Sequence, residues 1–274
     1  MIVRSGKACF IALIMGLVVF VTATEQVLAQ SMSEPKVRQQ SANTKPDGPS
    51  LALETPRYRV ISVVRKMPDC QGELCPSITF KKLSFEGHDR FNAFLDRSLL
   101  GIALMDTSKV KTFADLAAQF WKTAEDRYEI VLGAEVRRAT PSVIVIELQS
   151  YLYSGGAHGM STMQYINWFP HTDKILTLND IVLRGRMKAF EAALKKQYVK
   201  WLETNEFAQT DKAAYSKMWP FQFSDNAALM QDGIAVTFDH YVLGPYALGM
   251  PTILVPYSEL KGIIRSGLLA KIQH

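Results

Sequence analysis

The alternation of apolar and polar positions divides most of this chain into short, legible elements. Tyr58 to Lys66 and Ser77 to Phe85 are rich in β-branched and aromatic residues on either side of a polar loop, and they predict a β-hairpin. Phe91, Phe94, Leu95 and Leu99 recur at helical spacing, as do Phe113, Leu116, Phe120 and Trp121, so two amphipathic helices follow. Glu129 to Arg138 and Ser142 to Tyr153 read as neighbouring antiparallel strands, the second packed with Val143, Ile144, Val145 and Ile146. Met163 to Phe169 predicts another strand, Pro170 to Lys174 a turn, and Ile175 to Leu178 a return to extended chain. Met187, Phe190, Leu194, Tyr198, Trp201 and Leu202 then mark one face of a long helix whose other face carries Lys188, Glu191, Lys195 and Lys200. A closing β unit is expected from Phe221-Gln-Phe223 through Gly233 to Phe238 and on to Thr252 to Pro256.

Strands and helices in blocks, without regular strand–helix alternation, predict an α+β fold. The expected architecture is a mainly antiparallel sheet with helices packed on one face, in two intimate subdomains. The segments assign to a signal peptide (1–29), a disordered tether (30–55), an N-terminal hairpin-plus-helices module (56–140) and a C-terminal α+β domain (141–274).

The N-terminal assignment rests on Arg4 and Lys7 before the apolar run Phe10 to Val21, with the small-residue site Val27-Leu-Ala29 after it. The run is shorter than a bilayer-spanning helix needs, which favours cleavage near Ala29 and a periplasmic or secreted protein; membrane contact is expected only if this segment stays uncleaved. Residues Gln30 to Ser50 have almost no apolar side chains with which to offset the entropy of ordering. Loss of Cys9 with the signal leaves Cys70 and Cys75, which are expected to form a disulfide, as suits an exported protein. The alternative, half of a zinc site, lacks a second ligand pair.

Charge adds little. The whole chain carries +5, and removal of Arg4, Lys7 and Glu25 leaves +4, too diffuse for a nucleic-acid partner. No phosphate-loop glycine pattern is present: Gly155-Gly156-x-x-Gly159 has the wrong spacing and leads into a strand, so no nucleotide cofactor is expected.

Two glycine-punctuated segments interrupt the strand pattern, Ser154-Gly-Gly-Ala-His-Gly159 and Tyr241-Val-Leu-Gly-Pro-Tyr-Ala-Leu-Gly249. Their glycines provide backbone freedom for shaped loops. Gly155, Gly156, His158, Gly159, Tyr241, Tyr246 and Gly249 are the candidate binding residues, because tyrosine offers a large contact area with a polar tip. No catalytic set is assigned. A hydrolase using His158 with Ser154 or Asp239 is the alternative, and it requires the fold to supply a carboxylate and a hydroxyl around the ring. The five histidines, 88, 158, 171, 240 and 274, show no paired ligand spacing, and no metal is expected. Asp180 reads as a turn or helix-start residue.

These segments carry a family resemblance. Tyr153 to Gly159, Tyr165-Ile-Asn167, Lys174 to Asp180, Asp239-His-Tyr241, Gly244-Pro-Tyr246-Ala-x-Gly249 and Val255 to Leu260 are similar to the RsiV-like domain over about residues 150 to 265. That domain occurs in the extracellular part of an anti-sigma factor that is a lysozyme receptor, and at the N-terminus of a peptidoglycan deacetylase. The resemblance implies an exported binding or sensing module, with lysozyme or peptidoglycan as partner. The chain shows neither a sigma-binding segment nor a deacetylase domain, so neither of those activities is expected of it.

Overall fold

The computed structural model describes residues 54–268. The expected signal peptide and nearly all of the expected tether lie outside the described residues.

The chain begins with the predicted hairpin, β1 (Tyr58–Lys66) and β2 (Ser77–Phe85), in unbroken antiparallel register from Tyr58 opposite Phe85 to Lys66 opposite Ser77. Its loop contains the Cys70–Cys75 disulfide, across a Cα separation of 5.8 Å. Two helices follow, α1 (Asp89–Gly101) and α2 (Phe113–Phe120). Thr112 starts α2 with a reciprocal cap: its hydroxyl accepts from the Asp115 amide at 3.1 Å while the Asp115 carboxylate accepts from the Thr112 amide at 2.9 Å. The helices let the chain return parallel to β2 as β3 (Glu129–Ala139), and β4 (Ile144–Tyr153), β5 (Met160–Phe169) and β6 (Lys174–Leu176) then add on antiparallel. The resulting six-stranded sheet runs β1-β2-β3-β4-β5-β6.

The short helix α3 (Leu178–Ile181) opens with a capping box between Thr177 and Asp180. The long helix α4 (Met187–Thr204) and the shorter α5 (Lys212–Met218) lead to a separate antiparallel sheet of β7 (Ala227–Leu229), β8 (Gly233–Thr237) and β9 (Thr252–Pro256). The fold is therefore α+β and mostly antiparallel. The closing unit differs from expectation at its start: Phe221-Gln-Phe223 is not a strand, and Phe221 instead sets its ring 5.3 Å from that of Tyr198.

Strand β4 explains how two hydrophobic cores coexist. Ile144, Ile146 and Leu148 point to one face, where they meet Phe80, Phe91, Leu95, Leu116 and Trp168. Val143 and Val145 point to the other, against Phe190, Leu194, Tyr198, Val236 and Val255. Burial on both faces is why this strand reads as a continuous apolar run. The boundary expected at Thr140 falls in the tight connection between β3 and β4, where Thr140 and Val143 exchange backbone and side-chain hydrogen bonds. The two subdomains are thus layers that share one sheet.

Polar side chains fasten the second sheet to the first. The buried Asn167 amide donates to the Ala227 carbonyl at 2.8 Å and accepts from the Leu229 amide at 2.7 Å. Asn226 does the same for β5 where β6 has ended, donating to the Met163 carbonyl and accepting from the Tyr165 amide, both at 2.8 Å. Each replaces a strand partner, so the buried backbone groups stay satisfied. Arg138 donates to the carbonyls of Leu229 and Met230, and Tyr257 donates to Met230 at 2.8 Å. Burial pushes the Tyr257 phenol up to about 12.

Candidate recognition surface

The two glycine-rich segments lie in one place. The first turns the chain from β4 into β5, with Gly155 and Gly156 at φ of 90° and 88°, conformations that L side chains rarely adopt. Tyr153 donates to the Gly156 carbonyl at 3.0 Å, and Tyr151 lies so close over Gly159 that a Cβ there would collide with its ring. The second segment connects β8 to β9. Its base is closed by the Phe238 amide on the Pro251 carbonyl at 3.0 Å, and Gly249, at φ 73°, ends the short turn Tyr246–Leu248.

Helix α5 holds the second segment down. Asp211 caps this helix by accepting from the Ala214 amide, and Tyr215 on it donates to the Leu243 carbonyl at 2.6 Å while accepting from Asn205 at 3.1 Å. Gly244 passes against the Tyr215 hydroxyl and the Leu248 side chain with no room for a Cβ. Burial raises the Tyr215 phenol above its usual value, which keeps it a donor.

Tyr246 joins the segments. Its hydroxyl donates to the Gly159 carbonyl at 2.7 Å. The His158 ring stacks on it with centroids 3.7 Å apart, the His240 ring at 4.5 Å, both within 15° of parallel, and Tyr241 tilts against it at 5.9 Å. A further tie comes from Thr162, which donates to Asp239 at 3.0 Å. His158 and Tyr241 are exposed, and Tyr241 is held at φ 65°, an unusual conformation for an aromatic residue. His240 is half-buried with its Nδ1 enclosed and unpartnered; burial lowers its pKa, against smaller opposing effects from the Tyr246 backbone and the Asp239 carboxylate. Burial also raises the Tyr151 phenol, helped by the carboxylate of Glu129.

Six of the seven candidate binding residues are exposed or partly exposed on the two joined segments, beside Tyr151, Tyr153, Asp239 and His240; the seventh, Gly159, is buried and accepts the Tyr246 hydrogen bond. The charge pattern of the two segments distinguishes them from the rest of the chain: no Asp, Glu, Lys or Arg occurs from Leu148 to Thr172 or from His240 to Ser258. The rings needed for a hydrolytic set are arranged otherwise. His158 Nδ1 lies 3.0 Å from the Gly159 carbonyl, and among the described residues no hydrogen bond joins this ring to Ser154 or Asp239. Among the described residues, no group of three or more His, Cys, Asp or Glu is placed to hold a metal ion.

Sequence reasoning missed one buried carboxylate. Glu147 lies opposite Glu135 across β3 and β4, and like charges in that position repel. A bulge between Val136 and Arg138 turns the extra residue, Arg137, between them, 3.4 Å from Glu147 and 3.5 Å from Glu135. Gln149 also donates to Glu147. A lone Glu inside an apolar strand was the available signal.

The fold and this surface define a two-sheet α+β protein with an aromatic loop platform. The chain belongs to the DUF3298 family: residues 179–258 match the family described as "Protein of unknown function (DUF3298)", a span that includes Tyr241 to Gly249. The crystal structure of a DUF3298 family protein from Pseudomonas aeruginosa PAO1 is 30% identical, covers 79% of this chain and 97% of its own, and superposes with a TM-score of 0.73. A DUF3298 member from Bacteroides fragilis shares the fold at 17% identity, with a TM-score of 0.62 over 80% of this chain and 97% of its own. No protein of curated function matches.

Proposed function

We propose that this protein is an exported cell-envelope binding module that grips peptidoglycan glycan through the composite surface of Gly155–Gly159 and Tyr241–Gly249. The observation that carries the reading is the joining of two distant segments into a stack of rings, anchored by Tyr246 on Gly159, in two runs of sequence that hold no Asp, Glu, Lys or Arg, with Asp239 at the border of the second. Flat aromatic faces bordered by backbone carbonyls, hydroxyls and imidazoles suit the alternating apolar and hydroxyl faces of sugar rings. The positive charge distributed over the rest of the chain would draw an anionic wall polymer towards it at long range, while the surface itself needs no charge pairing. The charged N-terminal start and its apolar run support export. The resemblance to the RsiV-like domain supports an envelope role.

The same resemblance supports lysozyme as a partner, and Asp239 and Glu129 are the acidic groups near the rings that a basic protein would meet. Net positive charge opposes that encounter at long range. A hydrolytic role through His158 has less support, because its ring nitrogen faces a backbone carbonyl rather than an acid.

Calorimetric titration with purified muropeptides and with c-type lysozyme tests the reading. Muropeptides should give saturable heat without turnover, and Tyr246→Ala should weaken binding at least tenfold while the far-ultraviolet spectrum is kept. Absence of heat with muropeptides would overturn the glycan assignment, and heat with lysozyme alone would move it to the protein partner.

A further inference from the structure

A second surface lies along the β1 edge of the large sheet, three strands away from β4, which leads into the loop platform. Among the described residues, strand β1 is the terminal strand, hydrogen-bonded to β2 on one side only. All nine of its residues are exposed, and they include five large apolar side chains: Tyr58, Val60, Ile61, Val63 and Val64, the last at 66%. Its register against β2 has no bulge, and it contains no proline. The usual devices that twist or interrupt a free edge are therefore missing from the strand itself. What it has instead is charge: Arg57, Arg59, Arg65 and Lys66 are four cations with no acid from 57 to 66.

These charges decide what can pair there. Alternation puts Arg59, Ile61, Val63 and Arg65 on one face of β1 and Tyr58, Val60, Ser62, Val64 and Lys66 on the other. A second copy paired antiparallel about Ser62 would match Val60 with Val64 and Ile61 with Val63. It would also set Arg59 directly against Arg65, and like charges opposite one another are destabilising. Centring the pair on Ile61 opposes Arg57 and Arg65; centring it between Ser62 and Val63 opposes Arg59 and Lys66. Self-pairing is thus penalised, while a strand with acids at those positions is favoured by the same side chains.

We propose that the free edge of β1 takes up an extended acidic segment of another protein as an added strand. The matching pattern is acidic–x–apolar–x–apolar–x–acidic, antiparallel to β1, with the acids opposite Arg65 and Arg59 and the apolar residues opposite Val63 and Ile61. Main-chain hydrogen bonds provide the common part of such binding and the side-chain pattern selects the partner. The edge is already organised for it. The disulfide closes the hairpin loop, the Met67 amide bonds the Pro76 carbonyl at 2.9 Å, and Tyr58 packs its ring 5.3 Å from Phe85, so little ordering of β1 is needed on binding.

The test uses the full chain and two capped synthetic peptides, Glu-Thr-Val-Thr-Val-Thr-Glu and its counterpart with lysine at both ends. Chemical shifts and amide exchange report contact residue by residue. The acidic peptide should bind saturably with protection confined to the outer amides of β1, at least tenfold more tightly than the lysine peptide. The Arg59→Glu/Arg65→Glu double variant should reverse that preference. Equal binding of both peptides, no saturation up to millimolar concentration, or β1 protection that grows with protein concentration alone would each overturn the proposal, the last by identifying a second copy as the occupant.

Discussion

The loop platform and the β1 edge differ in how they are held and in what they present. The platform consists of irregular chain, yet it is fastened at several points: Tyr246 on Gly159, Thr162 on Asp239, Tyr215 on Leu243. The β1 edge is regular structure fastened, among the described residues, on one side only. The platform carries aromatic rings without formal charge across two long stretches, whereas β1 carries apolar residues bracketed by cations. Backbone regularity and the number of ties are therefore separate properties here. A loop can be fastened by side-chain hydrogen bonds to several elements, while an edge strand relies on the ladder to its one neighbour.

Breaking the tie between the sheets should separate the two surfaces most strongly. Asn167→Ala leaves the Ala227 carbonyl and the Leu229 amide without their partner in a buried setting, and should cost about 3 kcal/mol. Urea unfolding would measure this, and exchange should quicken around Tyr241 to Gly249 before it changes in β1. Replacing both Cys70 and Cys75 by serine acts on the opposite region. It should cost about 2 kcal/mol by freeing the loop of the unfolded chain, raise exchange in β1, and leave muropeptide titration unchanged.

Acidification should give the smallest effect, and only in the platform. Burial holds the pKa of His240 below the 6.5 of a free imidazole side chain, so the folded state resists the protonated ring. The stability this contributes is complete above the unfolded value and is lost as pH falls below about 6.5 through the lower folded value. Ring-proton shifts of His240 and Tyr246 should therefore move on titration from pH 7.5 to 5. Shifts in β1 should stay in place over that interval.

Much of the fold was legible because periodicity records burial. The bounds of β1 and β2 are those the alternation gives, and the apolar stripe from Met187 to Leu202 is helix α4. Phe221-Gln-Phe223 misled because aromatic residues at alternate positions resemble a strand, whereas Phe221 packs as coil against Tyr198 and Phe238. Helix α5 was missed although Asp211 is a good cap, since its seven residues show little apolar periodicity. The candidate site was legible only in parts. Glycines and tyrosines marked both segments, but the bond from Tyr246 to Gly159 spans 87 residues and leaves no local trace. Asn167 and Asn226 were likewise ambiguous, because an amide reads as a surface residue until a missing strand partner gives it a role.

The strand β4, with one face in each core, sets a limit on how this protein can be divided in evolution. A gene fragment ending at Thr140 would carry a sheet lacking Ile144, Ile146 and Leu148, and the complementary fragment would present those three side chains bare to water. Neither piece could be inherited alone without a replacement wall, so recombination should move this region as one block, with new domains added only before the hairpin or after the last strand.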